Sequence, residues 1–117
     1  MSPLTIYHNP KCSKSRETLA LLEGRGFAPR IVRSLETPPT SAELTTIVRM
    51  LGIRPEQLVR KGEDVYRAKY AGLTLTDAGW IEAMVNDPVL IERPIVVAGS
   101  RAAIGRPPEQ VLALLDN

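Results

Sequence analysis

The pattern that most constrains the fold lies in the first third of the chain, where a strand, a helix and a second strand are predicted in succession. Leu4–Tyr7 alternates in polarity and ends at the turn signal Asn9–Pro10, which indicates a strand. Helical character extends from Ser13 to about Glu23 and is ended by glycines, and Ile31–Val32 gives a short second strand. A βαβ unit of this kind, about 30 residues long, has parallel strands and a right-handed crossover.

The middle of the chain is predicted to be helical. Thr40 and Glu43 have the spacing of a capping box, and the apolar residues that follow recur on one helix face: Leu44, Ile47, Val48 and Leu51. Pro55 suits the first turn of a short helix that runs towards Arg60. Thr76 is positioned to cap a further helix, with Pro88 as its stop.

The last quarter of the chain returns to strands. Ile95–Val97 is a compact apolar strand, Ala102–Ile104 is positioned to pair with it as a hairpin, and a last helix is predicted from Pro108. The resulting order is the thioredoxin order: an α/β fold with a small mixed sheet and flanking helices. We therefore expect a single thioredoxin-like domain over residues 1–117, with a helical insertion at about 37–90.

The chain contains one cysteine and one histidine. One cysteine excludes an internal disulfide, and the pair is too few for the four ligands of a structural zinc site, so we expect no metal. A thiol redox cycle would therefore take its second thiol from another molecule.

Charge and hydropathy suggest a cytoplasmic protein that binds neither membranes nor nucleic acid. The net charge is only +2 and the basic residues are scattered, which does not indicate a nucleic-acid tail. No signal peptide and no apolar run of about 20 residues is visible. The single thiol fits a reducing compartment. We expect a monomer.

Cys12 lies between the end of the first strand and the start of the first helix. Free backbone N–H groups and the positive end of the helix favour an anion there and lower the pKa of a thiol. Nearby side chains add positive charge or hydrogen-bond donors: His8, Lys11, Lys14 and Arg16. The polar, cationic flanks favour a reactive thiolate over a buried structural cysteine, which is the common alternative.

Two neighbours of Cys12 have a functional and a structural interpretation each. Ser15 occupies the fourth position of a Cys-x-x-Cys motif, where its hydroxyl is positioned to donate to the thiolate or to act as an ordinary helix cap. His8 either donates to the thiolate or to a bound anion, or only ends the strand.

Three arginines lie beside turn or proline signals: Arg60, Arg93 and Arg106. The guanidinium group is permanently charged and suits tetrahedral oxyanions, although each arginine alone is commonly a solvated surface residue. Arg93 precedes a proline, which favours extended backbone, so it is expected at the start of the Ile95–Val97 strand, facing the cysteine loop.

These residues together resemble the glutaredoxin-dependent arsenate reductases of the ArsC type, within the ArsC/Spx superfamily, and in particular its shorter branch. The resemblance extends from about residue 4 to the C-terminus and is carried by motif order and spacing: Ile6–Pro10, Cys12, Ser15–Arg16, Leu58–Lys61, Arg93–Val97 and Gly105–Pro107. It implies that Cys12 attacks arsenate, that Arg60, Arg93 and Arg106 bind the oxyanion, that His8 lies near the site and that Pro94 is cis.

The same resemblance implies an oxidoreductase with no bound cofactor. Glutathione and glutaredoxin would act as external reductants, and the product would be arsenite. The alternatives are an Spx-like regulator that binds RNA polymerase, or an ArsC-like monothiol oxidoreductase without arsenate activity. Many Spx-type proteins carry Cys-x-x-Cys where this chain has Ser15, and the missing second cysteine argues against a redox-switched regulator.

Overall fold

The structure is a computed structural model that describes residues 3–115 of the chain. The chain forms two compact units: one comprises the residues up to Thr37 and from Arg93 onward, and the other is Pro38–Glu92. Within the described residues, none of the helices has both the length and the apolar character needed to cross a membrane.

The first unit begins with the predicted βαβ arrangement. Strand β1 is Leu4–His8, helix α1 is Ser13–Gly24 and strand β2 is Arg30–Arg33. Strands β1 and β2 pair in parallel, with Ile6 opposite Ile31. The prediction of two parallel strands joined by a helix is confirmed.

A C-terminal hairpin completes a four-stranded sheet. Strands β3 (Ile95–Ala98) and β4 (Arg101–Ile104) are antiparallel, and the sheet order is β2-β1-β3-β4. A 3₁₀ helix, Pro108–Leu114, follows where the sequence predicts a last helix. The core of this unit is a cluster of buried apolar residues from the strands and both helices: Leu4, Ile6, Leu22, Val96, Ala98, Val111 and Leu114. The predicted small mixed sheet with flanking helices is therefore confirmed.

The second unit opens with helix α2, Ser41–Leu51. The predicted capping box is present, because Thr40 Oγ1 accepts from the Glu43 N–H at 3.2 Å and Glu43 Oε1 accepts from the Thr40 N–H at 2.9 Å. The helix ends at Gly52, whose φ of 69° lies in the left-handed region that glycine adopts without strain.

Two further helices and two 3₁₀ turns complete this unit. Helix α3 is Asp64–Lys69, helix α4 is Asp77–Asn86, and the turns are Pro55–Leu58 and Pro88–Leu90. Thr76 caps α4 as predicted, since its Oγ1 accepts from the Gly79 N–H at 3.1 Å. Helix α3 is not predicted by the sequence, because it buries no residue and so has no apolar face to recognise.

Candidate active site

The loop after β1 places Cys12 at the start of α1. The Cys12 N–H donates to the Asn9 carbonyl oxygen at 3.0 Å, which closes the turn, and the Lys11 N–H donates to Asn9 Oδ1 at 3.0 Å. Cys12 has extended backbone angles and is the N-cap residue of α1. The side chain of an N-cap residue faces the unpaired N–H groups of the first helical turn, so the thiol lies where a thiolate is stabilised.

The β3–β4 hairpin places Arg93 and Arg106 beside each other. The Gly105 N–H donates to the Pro94 carbonyl oxygen at 2.9 Å, which extends the pairing beyond Ile95 and Ile104. The Arg93–Pro94 bond is cis, the isomer that the resemblance implies. The Arg106–Pro107 bond is also cis, which the sequence does not predict.

Arg106 connects the hairpin to the cysteine. Its Nη2 atom donates to Cys12 Sγ at 3.3 Å, while its Nε donates to the Arg93 carbonyl oxygen at 2.8 Å. Because the Nε contact holds the guanidinium on the backbone, it also orients Nη2 towards Cys12 Sγ. Cys12, Arg93 and Arg106 are thus brought together within the first unit, and the side chain of Arg93 is buried.

The surroundings of Cys12 lower the pKa of its thiol. Partial burial acts in the opposite direction and is the largest single effect, because it disfavours the charged form. The backbone N–H groups of Ser15 and Lys14 and the positive charges of Arg106 and Arg93 together outweigh it. The result is a half-exposed cysteine with increased thiolate character, which is the reactive form.

Ser15 supports the loop through its side chain and the thiolate through its backbone. Its hydroxyl, which is fully buried, accepts from the Asn9 N–H at 3.0 Å and lies 2.9 Å from His8 Nδ1. The hydroxyl has one hydrogen and two acceptor sites, so it pairs with His8 Nδ1 as donor or as acceptor according to the tautomer of the imidazole. The contact to Cys12 is made by the Ser15 N–H, whereas the hydroxyl, for which the sequence leaves open a bond to the thiolate or a cap, contacts Asn9 and His8.

His8 is not a source of positive charge in this site. Burial lowers the pKa of its imidazole, and the charges of Arg33 and Arg16 lower it further. The ring is therefore neutral near pH 7, with Nδ1 facing Ser15. His8 therefore adds no positive charge beside Cys12 near pH 7, and its role as a donor to the thiolate or to a bound anion stays a prediction.

A comparison with protein-family models matches residues 7–114 to the model described as "ArsC family". The chain belongs to the ArsC family. The match includes every candidate site residue, from His8 to Arg106.

Relatives and solved structures agree with this assignment to the ArsC family. The chain is 50% identical to the Escherichia coli K12 "Uncharacterized protein YfgD" over 94% of each chain. It is 43% identical to an arsenate reductase of Neisseria meningitidis serogroup A, over 98% of this chain and all of the relative. The solved arsenate reductase of Vibrio cholerae superposes with a TM-score of 0.93 at 48% identity, covering 97% of this chain and 98% of that one.

Arg60, the third arginine that the ArsC resemblance implies, lies in the second unit. Its Nε donates to Glu63 Oε2 at 3.1 Å and its Nη1 donates to Glu92 Oε1 at 2.8 Å. Burial lowers the pKa of its guanidinium, but both carboxylates raise it by a larger amount, so the net shift is upwards.

The two carboxylate partners of Arg60 are the site-associated residues that the sequence does not identify. Glu63 follows Arg60 by three positions, a spacing that suggests an ion pair. Glu92 lies 32 positions away and has no local signal. Within residues 3–115, no three His, Cys, Asp or Glu side chains are grouped in a way that would hold a metal ion.

Proposed function

We propose that this ArsC-family protein reduces arsenate to arsenite through a Cys12 thiolate, with glutathione and glutaredoxin as external reductants. The observation that carries the proposal is the Arg106 Nη2 donor at 3.3 Å from Cys12 Sγ, with the Arg93 charge beside it. A nucleophile and two cationic groups in one place suit attack on a tetrahedral oxyanion. Relatives called arsenate reductases over nearly the full chain support arsenate as that oxyanion.

In the first step, the Cys12 thiolate attacks the arsenic atom. The sulfur–arsenic bond forms, one arsenic–oxygen bond breaks, and the oxygen leaves as water after protonation. Arg93 and Arg106 stabilise the negative charge that grows on the remaining oxygens. Arg60 contributes a third guanidinium in the role that the resemblance implies.

The second step takes two electrons from a pair of thiols. A glutathione thiolate attacks the Cys12 sulfur, a disulfide forms, and the sulfur–arsenic bond breaks with its electron pair left on arsenic. Arsenite leaves after protonation. A glutaredoxin thiolate then attacks the glutathione sulfur and releases the Cys12 thiolate. The need for external thiols follows from the single cysteine, and it fits a cytoplasmic location.

The test is arsenate-dependent NADPH oxidation with glutathione, glutathione reductase and glutaredoxin. We expect turnover by the wild-type protein, loss of turnover in Cys12→Ser, and a strong decrease when glutaredoxin is omitted. Undiminished turnover in Cys12→Ser would exclude the proposed nucleophile.

Further assays on the same purified protein distinguish the two alternative functions. If the folded wild-type protein leaves arsenate unchanged but releases glutathione from a mixed-disulfide peptide, it is a monothiol oxidoreductase. If it does neither and retains RNA polymerase on an affinity column, it is a binding protein of the Spx kind.

A further inference from the structure

The backbone of the second unit brings Arg60 and Glu92 together. Val59 and Ile91 form an antiparallel bridge between two segments far apart in the chain. On either side of it, the Arg60 N–H donates to the Leu90 carbonyl oxygen at 2.7 Å and the Glu92 N–H donates to the Leu58 carbonyl oxygen at 2.9 Å. Because two backbone hydrogen bonds hold the segments on either side of this bridge, the contact between Arg60 Nη1 and Glu92 does not depend on two flexible side chains meeting by chance.

A turn supplies the second carboxylate. The Glu63 N–H donates to the Arg60 carbonyl oxygen at 3.3 Å, which folds the chain back so that Glu63 Oε2 accepts from Arg60 Nε at 3.1 Å. The guanidinium is therefore held at Nε by one carboxylate and at Nη1 by the other. All three side chains are partly buried, with 24% to 27% of their surface exposed, so these pairs are less screened than surface ion pairs.

Within residues 3–115, these two carboxylate contacts leave part of the guanidinium available. A guanidinium has five N–H groups, of which these contacts use two. The remaining donors are one N–H of Nη1 and both of Nη2, and two guanidinium donors suffice to bind two oxygens of an oxyanion.

We propose that Glu63 and Glu92 are positioning residues that hold the Arg60 guanidinium in place so that its remaining donors bind the oxyanion substrate. The proposal rests on the proposed function, because it assigns the way in which Arg60 is made ready to bind. An arginine loses rotamer freedom when it binds a ligand, and a side chain that is already fixed loses less.

The opposite effect is also physically reasonable and gives the proposal a clear alternative. Two carboxylates on one guanidinium leave the trio with a net negative charge, which repels an anion. If charge cancellation dominated, removal of either carboxylate would strengthen oxyanion binding. The two interpretations therefore differ in the sign of the change.

The experiment measures kinetics of arsenate reduction and, separately, arsenate affinity by calorimetry. The variants are Glu63→Ala, Glu92→Ala and the conservative Glu63→Gln and Glu92→Gln. Each alanine variant is expected to raise KM and the dissociation constant for arsenate by about threefold to tenfold, with kcat changed less than twofold. Each glutamine variant keeps an acceptor oxygen and is expected to restore most of the affinity.

Glu56→Ala is the matched control. Glu56 pairs with Lys61 at 2.8 Å, so its removal changes the net charge by the same amount without touching Arg60. It is expected to leave KM unchanged. In an Arg60→Ala background the Glu63 and Glu92 substitutions are expected to have no further effect on KM.

The positioning role is overturned if KM is unchanged or lowered in the alanine variants, or if the Glu63 and Glu92 substitutions raise KM equally in the Arg60→Ala background. Turnover of arsenate by the wild-type protein would still uphold the proposed function in that case. If the wild-type protein binds arsenate without reducing it, the proposed function fails and the calorimetric comparison still tests the positioning role. A protein that neither binds nor reduces arsenate overturns both. Thermal melting shows which variants are folded. If the alanine variants are misfolded, the glutamine variants serve as the test.

Discussion

Arg106 Nη2 lies 3.3 Å from Cys12 Sγ, although the two residues are 94 positions apart in the chain. The cysteine is placed by local structure at the start of α1, whereas the arginine is placed by the β3–β4 hairpin and held by the Arg93 carbonyl oxygen at 2.8 Å. The acidity of the thiol therefore depends both on helix geometry and on the tertiary fold.

Arg106→Ala is expected to raise the pKa of Cys12, because it removes a positive charge that stabilises the thiolate and leaves the opposing effect of burial in place. The rate of alkylation by iodoacetamide against pH measures this pKa, and the midpoint should move to higher pH. Arg30→Ala removes an exposed arginine on β2 and serves as the control, with no movement expected. An unmoved midpoint in Arg106→Ala would show that the contact does not stabilise the thiolate.

The elements of the fold that have strong local signals could be predicted from the sequence. Polarity alternation predicts β1, and the Thr40–Glu43 spacing predicts the start of α2. Helix α3 has no such signal, because none of its residues is buried. The last helix is predicted as a helix, but its 3₁₀ form over Pro108–Leu114 is not.

The sequence predicts which residues form the candidate site better than it predicts the contacts that these residues make. The position of Cys12 at a helix start follows from local pattern, and the family motifs bring in Arg93 and Arg106. The contacts of the Ser15 hydroxyl do not follow from the sequence. The Cys12 thiolate, His8 and the Asn9 N–H are all potential partners, and the packing of the loop determines which of them it meets. The pairing of Arg60 with Glu92 depends on a backbone bridge between distant segments.

Ser15→Ala is expected to destabilise the protein while leaving the acidity of Cys12 largely intact. The change leaves the Asn9 N–H and His8 Nδ1 without their buried partner, which costs about 1–3 kcal/mol of unfolding free energy. The Ser15 N–H, which stabilises the thiolate, is retained. Urea unfolding and the alkylation profile measure the two effects separately.

Ser13→Ala is the control for that experiment, because Ser13 is an exposed residue in the same helical turn. Its unfolding free energy should stay within about 0.5 kcal/mol of wild type. Equal stability of the Ser15 and Ser13 variants would contradict a supporting role for the buried hydroxyl.

Gly105→Ala is expected to disturb the hairpin next to Arg106. A Cβ atom at Gly105 would overlap Thr18 Oγ1 and lie 2.8 Å from Pro94 Cγ. Such overpacking costs about 1–3 kcal/mol, measured by urea unfolding. Gly24→Ala is the matched control, since a Cβ there meets nothing within 4 Å, and it should be neutral or stabilising by about 0.4–1 kcal/mol. Comparable stability of both variants would mean that the chain at Gly105 shifts freely.

His8 is expected to make the protein less stable in mildly acidic solution. Burial and the charges of Arg33 and Arg16 hold its folded-state pKa below the ordinary value of 6.5, so the unfolded chain binds the proton more readily. The contribution of neutral His8 to the free energy of unfolding is therefore fully present above pH 6.5 and is lost as the pH falls below that value. The loss from one such group cannot exceed about 1.4 kcal/mol per pH unit.

The measurement is urea unfolding from about pH 7.5 to about pH 5.5, together with NMR titration of the imidazole. His8 is the one histidine of the chain, so a single imidazole signal reports its pKa. His8→Asn keeps an amide group near the position of Nδ1 as a hydrogen-bond partner for Ser15 and removes the titration. Its stability should depend less on pH than that of the wild type, since the carboxylates contribute equally to both. An imidazole that titrates above pH 6.5, or parallel pH profiles for the two proteins, would contradict the neutral, buried state of His8.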